Sequence, residues 1–192
     1  MDKEKEINYK EIGLRCGIEI HQQIDTKKLF CNCPSEIRDD KCDFEVKREL
    51  KAVIGESGKI DDAATFEQNK EKYFIYQGYN DTTCLVEIDE EPPHLMNKCA
   101  LDVTLQASLI LKAKIVDEIQ IMRKAVIDGS NTSGFQRTML VATNGHIESN
   151  GKKINIPTIC LEEDAARIIK REANKSWYRL DRLGIPLVEI GT

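Results

Sequence analysis

Two Asn-Gly dipeptides, Asn144-Gly145 and Asn150-Gly151, lie close together between segments in which apolar and polar residues alternate. Asn-Gly suits the two central positions of a type I′ turn, which both need positive φ and which join adjacent antiparallel strands. The pattern predicts a hairpin of Gln136–Thr143 and His146–Ser149 around the first dipeptide. The second dipeptide is expected to turn the chain into a strand over Ile154–Leu161. Alternation predicts further strands over residues 13–24, 84–89, 117–127 and 185–190. In the first of these Ile18 and Ile20 are expected to face the core, opposite Glu19 and His21. Pro92 and Pro93 follow the second, and proline cannot donate to a ladder. Residues 97–114 read as the main helix, with Leu101, Leu105, Ser108 and Leu109 at helical spacing. Residues 31–83 are polar and irregular, with a short helix expected around 61–72. No Pro/Gly/Ser linker divides the chain, so one domain or part of one is expected. The fold class is α+β with a mostly antiparallel sheet.

Composition narrows the function classes. The 192 residues are 32% charged and 41% hydrophobic, and no apolar run is long enough to span a bilayer. Met1–Lys10 carries no apolar stretch of the secretory type. A net charge of −5 argues against holding nucleic acid by bulk charge alone. Seven cysteines, an odd number, without a secretory signal fit reduced thiols and a cytoplasmic protein.

Several clusters offer chemistry. Glu19 and His21, two apart on a strand, leave one face and make a carboxylate–imidazole pair suited to a divalent metal; a solvated strand face is the alternative. Glu162, Glu163 and Asp164 follow an apolar strand, either as a helix start or as a metal or acid–base site. Glu87, Asp89, Glu90, Glu91 and His94 form a second acidic cluster, read as a solvated turn. Arg123-Lys124 and the loop Asp128–Gly134 combine cations with hydroxyls and glycines that can expose N–H groups to phosphate. Neither that loop nor Gly55–Lys59 is a Walker A sequence. Cys31, Cys33 and Cys42 offer three zinc ligands, with Cys84 as a distant fourth, but without the paired knuckle spacing of a structural site; buried or surface thiols are the alternative.

Taken in order, four stretches are far more specific than any one of them. They are Gly17–Gln23 with Lys28–Cys33, Met122–Thr138, Leu161–Ala166, and Asp181–Ile190. Together they resemble the N-terminal part of the GatB/GatE family of tRNA-dependent amidotransferase subunits, from about Glu11 onward. The Asp128–Thr132 stretch and Leu85–His94 are closer to the archaeal E type than to the bacterial B type. The resemblance implies a glutamine-synthetase-like cradle of antiparallel strands. It implies ATP- and Mg²⁺-dependent phosphorylation of the γ-carboxylate of glutamate on tRNA(Gln). Ammonia from an asparaginase-like D subunit then displaces the phosphate. Carried over position by position, Glu19 and His21 match the family's metal pair, Glu163 a further metal carboxylate, and Glu162 an accompanying one. Lys124 matches a basic catalytic residue. Arg123, Ser130, Asn131, Thr132, Gln136 and Arg137 are expected to contact phosphate or the glutamyl group. The zinc set of the B type is incomplete, since no second Cys-x-x-Cys pair accompanies Cys31 and Cys33, so zinc is not expected. Family chains extend well beyond residue 192, and residues 1–192 are read as a truncated catalytic domain lacking the helical tail that grips tRNA. Two other readings are a non-catalytic module that binds the ammonia-producing partner and a stand-alone metal-dependent hydrolase.

Overall fold

The computed structural model describes residues 7–49, 54, 58–60, 62–68 and 72–192. The elements run β1 (Glu19–Gln23), β2 (Phe44–Glu49), α1 (Asp62–Gln68), β3 (Tyr73–Gly78), α2 (Lys98–Ile110), β4 (Lys114–Ile115), β5 (Ile121–Ala125), β6 (Phe135–Ser149), β7 (Lys152–Glu163), β8 (Arg167–Arg171), β9 (Lys175–Arg179) and β10 (Pro186–Gly191). Among the described residues they form two sheets. The larger has the order β1-β10-β7-β6-β4, with β5 also paired to β6, and is antiparallel throughout. The smaller has the order β2-β3-β9-β8, in which only β3 and β9 run parallel. The expected α+β class with mostly antiparallel pairing is what the chain adopts. None of the described helices is long and apolar enough to cross a membrane.

The hairpin of β6 and β7 forms the centre of the larger sheet, and its turn is Asn150-Gly151, with φ of 50° and 71°. The expected hairpin at Asn144-Gly145 does not form. β6 runs straight through it, with Asn144 at φ 57° opposite Pro157, which has no N–H to donate. Here the strand bends against the end of α2. His146 N–H donates to Leu111 O at 2.8 Å, and a Cβ on Gly145 would lie 3.0 Å from both Ala113 Cβ and Leu111 O. Asn-Gly therefore serves a kink at the first dipeptide and a reversal at the second.

α2 starts where Asn97 Oδ1 accepts the Ala100 N–H at 3.2 Å, the usual N-cap bond. Its fully buried stripe is Ala100, Thr104 and Ser108; Leu101 and Leu105 are half-buried against the same core, and Leu109 is exposed. The hydroxyls of Thr104 and Ser108 donate to the carbonyl four residues earlier, at 2.8 Å each, so small polar side chains pack with their donors satisfied. The helix lies on β4, β6 and β7. The core beneath it joins Phe30, Met139, Val141, Ile159, Leu161 and Val188. β1 is the outer strand of this sheet, and Ile18 and Ile20 are exposed, contrary to the expectation that they face the core. Residues 84–89 form a turn in place of the expected strand. Asp89 and Glu90 donate backbone N–H groups back to Val86 and Leu85, and the Glu87 carboxylate accepts the Cys84 N–H. The strand expected over 117–127 shortens to β5, and β2 and β3 rise from the stretch read as irregular. The short helix expected around 61–72 is α1; residues 61 and 69–71, like Gly55–Ser57 and Met1–Glu6, lie outside the described residues.

A second core holds the smaller sheet together, built on Phe74, Tyr76 and Tyr178, whose ring centroids lie 6.0–6.3 Å apart. Both tyrosines reach the loop between β5 and β6: Tyr76 donates to Gly129 O and Tyr178 to Asp128 O, each at 2.7 Å. Gly129 has φ 85°, and a Cβ there would sit 2.5 Å from the Phe74 ring. Gly129→Ala should therefore cost about 3 kcal/mol, from left-handed strain plus overpacking. Gly151→Ala, with φ 71° and open space around it, should cost only about 1 kcal/mol. Urea unfolding of both variants checks this, and equal losses would contradict the packing argument.

Candidate active site

Strand registry decides which side chains meet. β1 pairs with β10 so that His21 faces Glu189, and β10 pairs with β7 so that Glu189 faces Cys160. Side chains two apart share a face. One face of the larger sheet thus carries Glu19 and His21 from β1, Glu189 from β10, Cys160 and Glu162 from β7, Gln136 and Thr138 from β6, and Lys124 from β5. His21 Nε2 lies 3.1 Å from Glu189 Oε2. Across the same face, Lys124 Nζ donates to Glu162 Oε1 at 2.7 Å. Thr138 Oγ1 donates to the same oxygen at 2.5 Å, and Gln136 Nε2 to the other at 3.1 Å. Glu162 is 2% exposed and Lys124 48%, so the carboxylate is held from below and the ammonium stays open to solvent. Between the two groups, burial and the neighbouring Glu189 and Glu162 push the Cys160 thiol up.

Glu163 is not part of this face. The next residue along a strand points the other way, and Glu163 enters the core side, where Arg137 meets it. Arg137 Nη1 donates to its two carboxylate oxygens at 3.0 and 3.2 Å, and the Arg137 backbone N–H donates at 2.9 Å. The expected grouping of Glu163 with Glu19 and His21 is therefore replaced by one in which Glu162 shares their face. Arg123 leaves β5 opposite to Lys124 and stacks over Phe135 with its carbon 4.7 Å from the ring centre.

The loop expected to hold phosphate is tied into the scaffold. Ser130 N–H is turned back onto Asp128 Oδ1, and Thr132 Oγ1 donates to Glu87 O at 2.7 Å. Asn131 is buried. Asn131 and Thr132 line a cleft with Lys28, Glu87, Arg137 and Glu163, separate from the Glu19–Glu162 face.

The described residues thus place a carboxylate–imidazole set and a cation on one sheet face. A model of the GatB/GatE catalytic domain family matches residues 14–192. The chain belongs to this family. It is 55% identical over 188 residues to the E subunit of glutamyl-tRNA(Gln) amidotransferase from Methanocaldococcus jannaschii, covering 97% of this chain and 30% of that protein. It is 55% identical over 186 residues to the E subunit from Methanococcus maripaludis, and 52% over 187 residues to that from Pyrobaculum aerophilum. These alignments cover 96% and 97% of this chain, and 30% and 31% of the two relatives. The chain thus spans about three-tenths of the length of the relatives it matches.

Within the GatB/GatE domain, Glu189 had no role assigned from sequence. Alternation puts it opposite Ile190, but its meeting with His21 follows from the pairing of β1 with β10, strands whose contacting residues lie 168 positions apart and which local patterning does not join.

Burial holds the Glu163 carboxyl above the ordinary carboxylate range, while Arg137 pulls it back down. A carboxyl whose folded pKa is raised supports the fold fully below its unfolded pKa and loses that support as pH rises through the folded value. Removing the cation raises the folded value further. Arg137→Met should therefore cost about 3–5 kcal/mol at about pH 8, where the buried carboxylate is unpaired, and clearly less at about pH 4. Denaturant unfolding at the two pH values checks the sign; a loss independent of pH would mean that Glu163 is neutral even beside Arg137.

Proposed function

We propose that this domain is the phosphorylating part of a glutamyl-tRNA(Gln) amidotransferase subunit. The observation that carries this reading is the single sheet face on which Glu19, His21, Glu189 and Glu162 lie with Lys124, in a chain of the GatB/GatE family. Relatives named as E subunits of glutamyl-tRNA(Gln) amidotransferase support the same assignment. The proposed reaction places a phosphate from ATP on the γ-carboxylate of glutamate carried by tRNA(Gln). Ammonia supplied by an asparaginase-like D-type partner then displaces that phosphate and leaves glutaminyl-tRNA.

The donor set fits Mg²⁺, which favours carboxylate oxygens and retained waters. Glu19, Glu189 and Glu162 would hold it, with His21 as the nitrogen donor. When bound, the ion would offset the charge of phosphate oxygens during transfer. The chain's own residues supply the rest. Thr138 and Gln136 fix the Glu162 carboxylate in one orientation. Glu189 orients the His21 ring by its 3.1 Å contact. Lys124, half exposed, brings a positive charge where two anionic reactants, a nucleotide phosphate and a carboxylate, must approach. Glu163 is not a ligand in this reading; it anchors Arg137 beneath the sheet.

The test uses the polypeptide at the length of its relatives, together with its ammonia-supplying partner. Comparing two adjacent acids separates loss of chemistry from loss of folding. Glu162→Gln and His21→Ala should lower ATP cleavage dependent on Glu-tRNA(Gln) by at least about 100-fold with little change in urea midpoint. Glu163→Gln should instead lower stability while retaining most activity per folded molecule. A Glu162→Gln variant with full activity would overturn the assignment.

A further inference from the structure

The smaller sheet has two unlike faces. Phe74, Tyr76 and Tyr178 point into the second core, and the residues between them point the other way. Among the described residues, neither apolar core includes that other face. Registry sets Lys47 beside Ile75, Ile75 beside Trp177, and Trp177 beside Lys170. This is one row across all four strands, with a cation at each end and no acid within it. Tyr73 and Lys175 pair in the next row. Lys47 Nζ lies 4.1 Å from the centre of the Tyr73 ring, and Lys170 and Lys175 Nζ lie 5.1 and 4.9 Å from that of Trp177. The hairpin of β8 and β9 is also the basic part of an acidic chain. Arg167, Lys170, Arg171, Lys175 and Arg179 stand there against Glu172 alone, in a chain of net charge −5. Asp39 and Asp181 neutralise Arg167, so the lysines carry the charge that faces solvent.

We propose that this outer face is an RNA-docking surface, on which the domain itself holds the backbone of the substrate tRNA. The charge complementarity is local. A lysine laid over an aromatic ring is held in place without being neutralised, so its ammonium stays available to a phosphate oxygen. Cations set among aromatic side chains are the pattern by which proteins track a nucleic-acid backbone. Glu172 fits the same reading. Its carboxylate lies 2.6 Å from Lys170 Nζ and 3.3 Å from Lys175 Nζ, where it occupies the two ammonium groups that a phosphate would take. The face also lies next along the chain from the candidate active site. β8 begins just beyond Glu162 and Glu163, and Asp164 in the connection accepts from Gln23 Nε2, at the end of β1, at 2.7 Å. Net charge hides this surface, because it averages a basic hairpin with acidic segments elsewhere. That the RNA is tRNA(Gln) rests on the function proposed above; the surface and its charge do not.

The test titrates the polypeptide at the length of its relatives with a tRNA(Gln) transcript that carries no glutamate, without ATP, over a range of salt. The combined Lys47→Gln and Lys170→Gln variant should bind at least about tenfold more weakly, and its slope of log affinity against log salt should fall by about 2. Glu172→Gln frees two ammonium groups and should tighten binding by about threefold. These are surface changes, so urea midpoints should stay close to that of the unaltered protein. Ultraviolet irradiation of the complex should cross-link RNA to the peptides that carry Tyr73 and Trp177. With neither glutamate nor ATP present, the result stands whatever becomes of the phosphorylation reading. Unchanged affinity and slope in the lysine variant would overturn the proposal, as would a Glu172→Gln variant that binds no more tightly. A loss confined to assembly with the ammonia-supplying partner, with RNA binding intact, would also overturn it and mark the face as a protein contact.

Discussion

The pairing of β6 with β7 is the constraint on which the rest depends. It runs from Thr138 opposite Glu162 to Ser149 opposite Lys152, with one irregularity between Leu140 and Ala142. Because side chains alternate, this one registry sends Glu162 to the face with Lys124 and Thr138, and Glu163 to the side with Phe30 and Leu161. A one-residue slip of β7 would exchange the two acids, bringing Glu163 to Lys124 and leaving Arg137 without its buried carboxylate. The pairing of β10 with β7 then carries Glu189 next to Cys160, and β1 adds His21. The candidate site is therefore a property of registry across five strands, not of any one motif.

The irregularity near Leu140 is compatible with this arrangement because it lies beyond the site. From Thr138 to Leu140 the ladder to β7 is in step, and it shifts only where α2 and β4 pack. The extra residue increases the local bend of a long strand. Asn144 and Gly145 bend it again, against Leu111 and Ala113. The result is a long hairpin whose far half wraps the helix and whose near half stays regular beneath Glu162. Regularity is kept where several side chains must converge, and curvature is placed where only backbone and small residues meet.

Much of this was legible in the sequence, and the limits are physical. Alternation located β7, β10 and the core of β6, because a half-buried strand must alternate. It failed at 84–89, where Val86 and Ile88 alternate with acids for a different reason: Glu87 is buried and accepts hydrogen bonds from its own turn. The two Asn-Gly dipeptides are locally identical, and only tertiary packing against Leu111 separates a kink from a reversal. Residues Glu19, His21, Lys124 and Gln136 were found by motif and do share a face. The meeting of Glu189 with His21 required strand pairing between residues more than a hundred positions apart, and the separation of Glu162 from Glu163 onto opposite faces required the β6–β7 registry. Glu87 likewise meets Cys31 from 56 positions away, a contact that local patterning does not show.

The buried charges beneath the sheet explain why so many loops converge there. Lys28, Glu87, Arg137 and Glu163 are two cations and two anions lining one cleft. Glu87 also raises the Glu163 carboxyl through repulsion, so the two acids are not independent. Isolated in an apolar interior, any of these charges would cost several kcal/mol. Here each is surrounded by fixed donors or acceptors: Lys28 donates to Thr82 O and Leu180 O at 2.8 and 3.0 Å, and Arg137 grips Glu163. Satisfying Lys28 demands carbonyls from two distant segments, and satisfying Glu87 demands the turn at Cys84. Desolvation thus penalises any arrangement in which one of these loops is out of place, even where the loop itself has little apolar surface to bury. Directional hydrogen bonds to paired charges fix this arrangement: Arg137, over the Phe30 ring of loop 28–33, grips Glu163 from β6, the strand that also carries Gln136 and Thr138, the side chains that orient Glu162.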